Sequence, residues 1–207
     1  MGRNSIKDVR QKEIVEFFYK VAKKEGLENT SIAKIAKVMD VNPSLIVHYF
    51  NSKEELTYAL VDYILDKYLL IYKVGQRSSN VHLAETLVNL IDNMFSKKWN
   101  KLFDDGLFYS CYALTFRDKH IKQMYHNLSN ILRERLADFL KLCVKEKVIK
   151  LKNPQLTSEL LFVFIDGAYY YLSQLSDKAV YDEKMYNYKT EAYRLLGIRD
   201  VDLFSKR

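Results

Sequence analysis

The chain has 207 residues, 48% of them hydrophobic, which predicts a folded protein of one or two domains and not a disordered chain. Its formal net charge is +7, and residues 1–53 hold ten Lys or Arg against six Asp or Glu, which favours an anionic partner for this part. The sequence has no apolar run of the roughly 18 residues that a membrane span needs, and its N-terminus lacks the apolar segment of a signal peptide, so we expect a cytoplasmic protein without membrane contact.

Helical spacing of apolar residues dominates the chain. Only two prolines and six glycines occur, and no stretch alternates polar with apolar residues for long, which predicts an all-α fold. The first predicted helix runs from about Ile6 to Lys24. Gly26 follows at the position where helices often end in a left-handed residue.

Two short helices joined by a tight turn are predicted between Thr30 and Lys53. Thr30 can cap the first of them by accepting a backbone N–H bond. That helix must stop at Asp40, after which Asn42 is a good N-cap and Pro43 suits the first helical position. This layout is that of a helix-turn-helix, whose second helix enters the major groove of DNA.

The fourth predicted helix begins at Ser52, with Glu55 completing a capping box, and continues to the polar stretch at 75–80. No flexible linker is visible along it, so the sequence predicts a DNA-binding domain at 1–53 joined rigidly to a ligand-binding and dimerisation domain at 54–207. Further helices are predicted at 81–98, 107–116, 118–147, 154–175 and 182–196, with a short turn at 99–103.

Residues 14–56 resemble the N-terminal domain of the TetR-family repressors. The matching residues are Gly26, Thr30-Ser31, Ile35-Ala36, Val41, His48-Tyr49-Phe50, Ser52-Lys53 and Leu56. The chain departs from the family pattern at Asp40, where Gly is usual, and at Val47, where Tyr is usual. Since Asp tolerates left-handed backbone, the turn is expected to survive, whereas Val47 removes one customary DNA contact.

The resemblance implies a set of DNA contacts around the cap Asn42. Thr30 or Ser31, together with Tyr49 and Lys53, would hold phosphates, and the bases would be faced by Pro43, Ser44, Leu45, Val47 and His48. The outward side of the third helix is apolar, which favours contact with thymine methyl groups and T-rich half-sites in an inverted repeat. Two alternatives are that one of these apolar residues packs into the bundle, and that the bundle does not bind DNA.

Enzyme function is not supported by any constellation of residues. The four histidines, His48, His82, His120 and His126, lack metal-ligand spacing, and no Gly-rich phosphate loop occurs. The two cysteines, Cys111 and Cys143, lie in apolar helical runs and are expected to be buried, reduced thiols. We therefore expect no catalysis, no metal and no cofactor. A helical adaptor that binds a partner protein through its basic face is the alternative from another class.

The C-terminal part is rich in aromatic residues. In the family that the N-terminal stretch resembles, the ligand pocket lies in this part beside the fourth helix, which implies a site lined by Met94, Trp99, Phe108, Tyr112 and Tyr125. The alternative is that these residues only fill the core. The segment from Phe108 to Val148 also resembles the choline-responsive repressors of betaine synthesis, which implies an aromatic cage for a quaternary ammonium group.

The two long helices at 118–147 and 154–175 carry more apolar surface than one face of a monomer needs. In the resembled family the corresponding pair forms a four-helix dimer interface, which here implies Leu128, Leu132, Leu136, Phe164, Gly167 and Ala168. The alternative is an internal core pair. Taken together, these features predict a homodimeric repressor that a small-molecule inducer releases from its DNA operator by shifting the fourth helix.

Overall fold

A computed structural model describes residues 6–75, 83–99 and 104–198 of the chain, the side chains of 70–75 excepted. The predicted break at 76–80 and most of the predicted turn at 99–103 lie outside this part. The described residues form nine α-helices and no strand, which confirms the all-α prediction. The helices are α1 (Ile6–Glu25), α2 (Ile32–Met39), α3 (Pro43–Tyr49), α4 (Lys53–Gly75), α5 (Leu83–Met94), α6 (Asp105–Ala113), α7 (Lys119–Lys145), α8 (Pro154–Leu172) and α9 (Lys178–Leu195).

Most helix ends lie where local signals place them, with a few differences. Gly26 has φ +88 after α1, as its position predicted. The helix expected at 182–196 begins earlier, at Lys178, because the Asp177 carboxylate accepts bonds from the backbone N–H groups of Ala179 and Val180. Where one helix was expected at 107–116, the α-helix ends at Ala113 and a 3₁₀ turn, Leu114–Phe116, follows it.

The chain divides into two compact units. The first comprises the described residues within Met1–Tyr68 and Asn100–His126, and the second those within Leu69–Trp99 and Asn127–Arg207. Helices α4 and α7 therefore contribute residues to both. The sequence-based division at residues 53 and 54 stays a prediction. None of the described helices is long and apolar enough to cross a bilayer.

Each unit has its own apolar interior. In the first, α1 to α4 pack around fully buried residues that include Ile14, Ile35, Ile46, Leu56 and Leu60. In the second, α5, α7, α8 and α9 enclose a core that includes Leu87, Ile91, Leu140, Leu161 and Ala192. Most of the apolar residues that these helices carry at helical spacing are thus buried within the chain.

Candidate functional site

The turn between α2 and α3 is built from side-chain and backbone bonds within a few residues. Ser31 Oγ accepts from the backbone N–H of Lys34 at 3.3 Å and caps α2. Asp40 ends α2 in the left-handed region, at φ 55 and ψ 47. The turn thus forms with Asp at the position where the family usually has Gly, as expected. Asn42 Oδ1 then accepts from the N–H of Ser44 at 2.9 Å, with Pro43 as the first residue of α3. The turn therefore fixes where α3 points.

Helix α3 presents a polar and apolar surface away from the bundle. Ile46 and Phe50 are buried against the other helices, whereas Pro43, Ser44, Val47 and His48 are exposed, as is the cap Asn42. Val47 is 51% exposed and does not pack into the bundle, while Leu45 is half-buried. The side chains predicted to face the bases thus lie on one accessible side of a short helix, with Leu45 at its edge.

The predicted phosphate contacts need one correction. Thr30 is only 2% exposed, and its hydroxyl donates to the carbonyl oxygen of Gly26 at 2.8 Å. Thr30 therefore neither caps α2 nor offers a group to a phosphate, and its neighbour Ser31 is the exposed residue. Tyr49 is half-buried, and Lys53 is exposed at the start of α4. Ser31, Tyr49 and Lys53 remain the phosphate candidates.

Gln11 supports the end of α3 and was not singled out in the sequence. Its Nε2 donates to the carbonyl oxygen of Tyr49 at 3.0 Å, from α1 to the last residue of α3. A signal was present, because Gln11 lies three and seven residues before Ile14 and Phe18, on the inward side of α1. A polar residue on such a stripe needs a partner.

An aromatic cluster lies in the first unit. Its members come from α4, α6, the 3₁₀ turn and α7: Tyr68, Phe108, Tyr109, Tyr112, Phe116 and Tyr125. Ring centroids are 4.9 Å apart for Tyr68 and Phe108, 5.9 Å for Phe108 and Tyr125, and 5.5 Å for Tyr112 and Tyr125. Three of the five predicted ligand residues, Phe108, Tyr112 and Tyr125, are thus brought together.

The Tyr125 hydroxyl is buried at the cluster without a hydrogen-bond partner among the described residues. Burial, with smaller contributions from Cys111 and Tyr112, raises the pKa of this phenol, so its hydroxyl keeps its proton. Burial also raises the pKa of Cys111 to about 12. Both Cys111 and Cys143 are buried free thiols, as predicted. The Tyr125 hydroxyl is therefore a neutral, buried donor, and the neighbouring Cys111 is not a reactive thiolate.

Met94 and Trp99, the other two predicted ligand residues, belong to the second unit. Met94 lies in the core, and its carbonyl oxygen accepts from the Tyr169 hydroxyl at 2.7 Å. Trp99 is 4% exposed and its indole N–H donates to the carbonyl oxygen of Asn93. Within one chain both residues have structural roles, which matches the alternative that they fill the core.

The residues predicted for the dimer interface differ in how exposed they are. Leu132, Leu136 and Ala168 are buried in the core of their own chain, and Leu128 and Phe164 pack against that core. Leu132, Leu136 and Ala168 therefore have little surface left for a partner, whereas Leu128 and Phe164 are half-buried and stay a prediction. Gly167 alone is exposed. It lies on a stripe of exposed α8 residues at helical spacing, which we call the α8 stripe: Leu156, Leu160, Val163, Gly167 and Tyr170.

Among the described residues, no group of three or more His, Cys, Asp or Glu is arranged to hold a metal ion.

The lysines near the helix-turn-helix differ in whether they form an ion pair within the chain. Lys34 pairs with Glu25 at 2.6 Å, so the basic character of α2 is partly neutralised. Lys53 has no ion pair among the described residues and so keeps its full charge for a partner.

Two family models match the chain. Residues 19–60 match the model of bacterial regulatory proteins of the tetR family, and residues 82–198 match the tetracyclin repressor-like C-terminal domain. No curated protein matches the chain significantly.

Solved structures share the fold. A TetR transcription regulator from Haloarcula marismortui ATCC 43049 has a TM-score of 0.78 at 17% identity, over 91% of this chain and 97% of that one. A TetR-family regulator from Cytophaga hutchinsonii has a TM-score of 0.77 at 16% identity, over 96% and 99%. A regulator from Saccharomonospora viridis, in complex with choline, has a TM-score of 0.70 at 15% identity, over 87% and 93%. The chain belongs to the TetR family of transcriptional regulators, with a helix-turn-helix DNA-binding domain.

Proposed function

We propose that the protein is a homodimeric transcriptional repressor in the cytoplasm, which binds an inverted-repeat operator through α3 and leaves it when a small-molecule inducer binds. Residues 1–53 would form the DNA-binding domain and 54–207 the ligand-binding and dimerisation domain. The observation that carries the proposal is the exposed side of α3, held by the Asp40 turn and the Asn42 cap while Ile46 is buried.

The charge around this side is suited to a nucleic acid backbone. Lys53 is exposed at the N-terminus of α4, close in sequence to the Tyr49 hydroxyl, and Ser31 caps the exposed start of α2. Lys, Tyr hydroxyls and helix N-termini are common phosphate ligands and set the register of a helix on the duplex. The exposed Val47 would then read thymine methyl groups.

The test of DNA binding begins with selection of duplexes from a random library by the full-length protein. We expect an inverted repeat with T-rich half-sites, because two protomers related by a two-fold axis read two equal half-sites. Gel shift and fluorescence anisotropy with the selected duplex and a scrambled duplex then give the specificity ratio. If no sequence is enriched and binding stays equal for both duplexes, the repressor proposal fails and the adaptor alternative gains support.

The proposed inducer site is the aromatic cluster around Tyr125. A buried hydroxyl without a partner costs free energy, and a ligand atom that accepts from it would remove that cost. The edge of the cluster is accessible, since Tyr112 is 44% and Phe116 79% exposed. The rings also attract cations, so a quaternary ammonium compound is the first ligand class to test, in line with the choline complex of the Saccharomonospora viridis regulator.

Choline is therefore the first probe, followed by a panel of neutral aromatic compounds. A ligand that induces must raise the melting temperature of the free protein and lower its affinity for the selected duplex. Such coupling is typically about 5- to 150-fold in affinity. A compound that raises the melting temperature equally for wild type and for Tyr112→Ala would bind elsewhere, and would remove the cluster from the proposal.

The proposed dimer would use the α8 stripe. Leu156, Leu160, Val163 and Tyr170 share one exposed face of α8 with Gly167. Apart from the two chain neighbours of Gly167 and the nearby backbone of α8, no described atom lies within 4 Å of the position that a Cβ of Gly167 would occupy. Leaving such a face in water is unfavourable, whereas a second copy of the same face can cover it by two-fold symmetry. Analytical ultracentrifugation measures the assembly directly, and a monomer at micromolar concentration would contradict the proposal.

A further inference from the structure

Tyr58, on the second turn of α4, joins two acidic side chains that are far apart in the sequence. Its hydroxyl oxygen lies 2.6 Å from Glu54 Oε1 and 3.0 Å from Asp118 Oδ2. The Tyr58 ring also packs against the ring of His120, with centroids 4.5 Å apart. All four residues belong to the first unit. Tyr58 thus connects the first turn of α4 to the start of α7.

Asp118 has a second role through its other oxygen. Asp118 Oδ1 accepts from the backbone N–H groups of His120 and Ile121, at 2.8 and 3.0 Å, and so caps α7. The bonds to Ile121 and Tyr58, among others, lower the pKa of this carboxyl, so it stays ionised. A movement of the α7 cap would therefore act directly on the Tyr58 hydroxyl.

The two ends of this connection lie beside the two proposed sites. Glu54 follows Lys53, the phosphate candidate, in the first turn of α4. On α7, Ile121 and Tyr125 follow Asp118 on one buried side, and Tyr125 belongs to the aromatic cluster. The distance from cap to cluster is about two helical turns, or roughly 11 Å along the axis.

We propose that the contact of Tyr58 with Glu54 and Asp118 couples the DNA-binding end of α4 to the first turns of α7, and that Tyr58 is a positioning residue for induction. The inference rests on the proposed function and adds its regulation. Because coupling between two sites is reciprocal, binding of DNA must change the affinity of the cluster for its ligand by the same factor, and the proposed contact would carry this change through the start of α7. This allows a test that needs no inducer.

The test measures amide hydrogen exchange of the full-length protein, with and without the duplex selected from a random library. In the wild type we expect the duplex to change the exchange rates of the amides at 120–125 by about 5-fold or more. Tyr58→Phe keeps the ring beside His120 and removes the hydroxyl, so this change should shrink toward none while the duplex still binds. Tyr63→Phe, which removes a hydroxyl from the same helix, should behave as wild type.

Asp118→Ser gives a second arm, because serine keeps one oxygen to cap α7 but has no second polar atom that could reach the Tyr58 hydroxyl. It should reproduce the effect of Tyr58→Phe, and the double variant should add nothing to either single one. A wild type that binds the duplex with unchanged exchange at 120–125, or a Tyr58→Phe protein that keeps the full change, overturns the coupling and leaves DNA binding intact. Failure to select any duplex would instead refute the proposed function.

Discussion

Ile46 and Val47 are neighbours in the sequence, yet Ile46 is fully buried and Val47 is 51% exposed. Successive residues of a helix point about 100° apart, so α3 can pack against the bundle and still present side chains to a partner. Ile46 fixes the position of the helix, and Val47 occupies the position where the family usually has Tyr. The specificity of this regulator is therefore expected to differ from relatives that carry the tyrosine.

Val47 should contact a thymine methyl group. Replacing the contacted thymine by uracil removes only that methyl and should weaken wild-type binding by about 1 kcal/mol, the lower end of a base contact. The Val47→Ala variant should bind the thymine-containing duplex more weakly than the wild type does. Replacing the contacted thymine by uracil should then weaken its binding little further. Val38→Ala, at an exposed valine of α2, is the control and should respond to uracil as wild type does. Anisotropy titrations at fixed salt measure all of these, and insensitivity of the wild type at every thymine would contradict the contact.

Gln11 should affect DNA binding although it lies on α1. Gln11→Met keeps the length of the side chain but leaves the Tyr49 carbonyl without its donor, at a cost of about 0.5–1.5 kcal/mol for one hydrogen bond. Since that carbonyl belongs to the last residue of α3, affinity for the selected duplex should fall several-fold. Gln155→Met, on the exposed side of α8, should bind normally. Equal affinity of the Gln11 variant and the wild type would show that the bond does not position α3.

Lys53 should contribute charge but no sequence information. Lys53→Ala should weaken binding to all duplexes by a similar factor, and the slope of log K against log salt should fall by about one. Lys152→Ala, an exposed lysine of the second unit, serves as the control for net charge. Binding titrations at several salt concentrations between about 50 and 200 mM measure this slope. A changed sequence preference with an unchanged slope would exclude Lys53 as a phosphate contact.

The α8 stripe should control the oligomeric state. Val163→Asp places a charge in the middle of the stripe, where a second copy would have to bury it, so sedimentation should show monomers and operator binding should fall. Leu142→Asp, at an apolar residue of α7 with 41% exposure, should leave the assembly unchanged. Circular dichroism separates loss of assembly from loss of fold. A Val163→Asp dimer that binds normally would place the interface elsewhere.

The hydroxyl group of Tyr125 should lower the stability of the protein. Its buried hydroxyl has no partner among the described residues, so Tyr125→Phe should raise the free energy of unfolding by about 1 kcal/mol. The matched control is Tyr193→Phe, since the Tyr193 hydroxyl donates to Asp92 and its loss should destabilise the protein. Denaturant titrations of both variants give the comparison. If Tyr125→Phe is the less stable protein, its hydroxyl has a partner, and the proposed ligand contact loses its support.

The sequence by itself determined the helices and the helix-turn-helix. Their signals are local, because a cap, a left-handed turn residue and a proline act on backbone groups within about four residues. Asn42 and Pro43 therefore began α3 as predicted, and Asp40 ended α2 in the left-handed region. The buried side of α1 and the exposure of Val47 followed from helical spacing in the same way.

The tertiary structure decided which of several plausible faces meets which neighbour. The sequence predicted Thr30 as the cap of α2, but in the packed structure Thr30 donates inward to the carbonyl of Gly26, and Ser31 caps the helix. Leu132 and Leu136 could have faced a partner, but the core of their own chain buries them. The Tyr58 contact with Asp118 joins residues 60 positions apart. No local signal encodes such a pair, because its geometry exists only after the helices have packed.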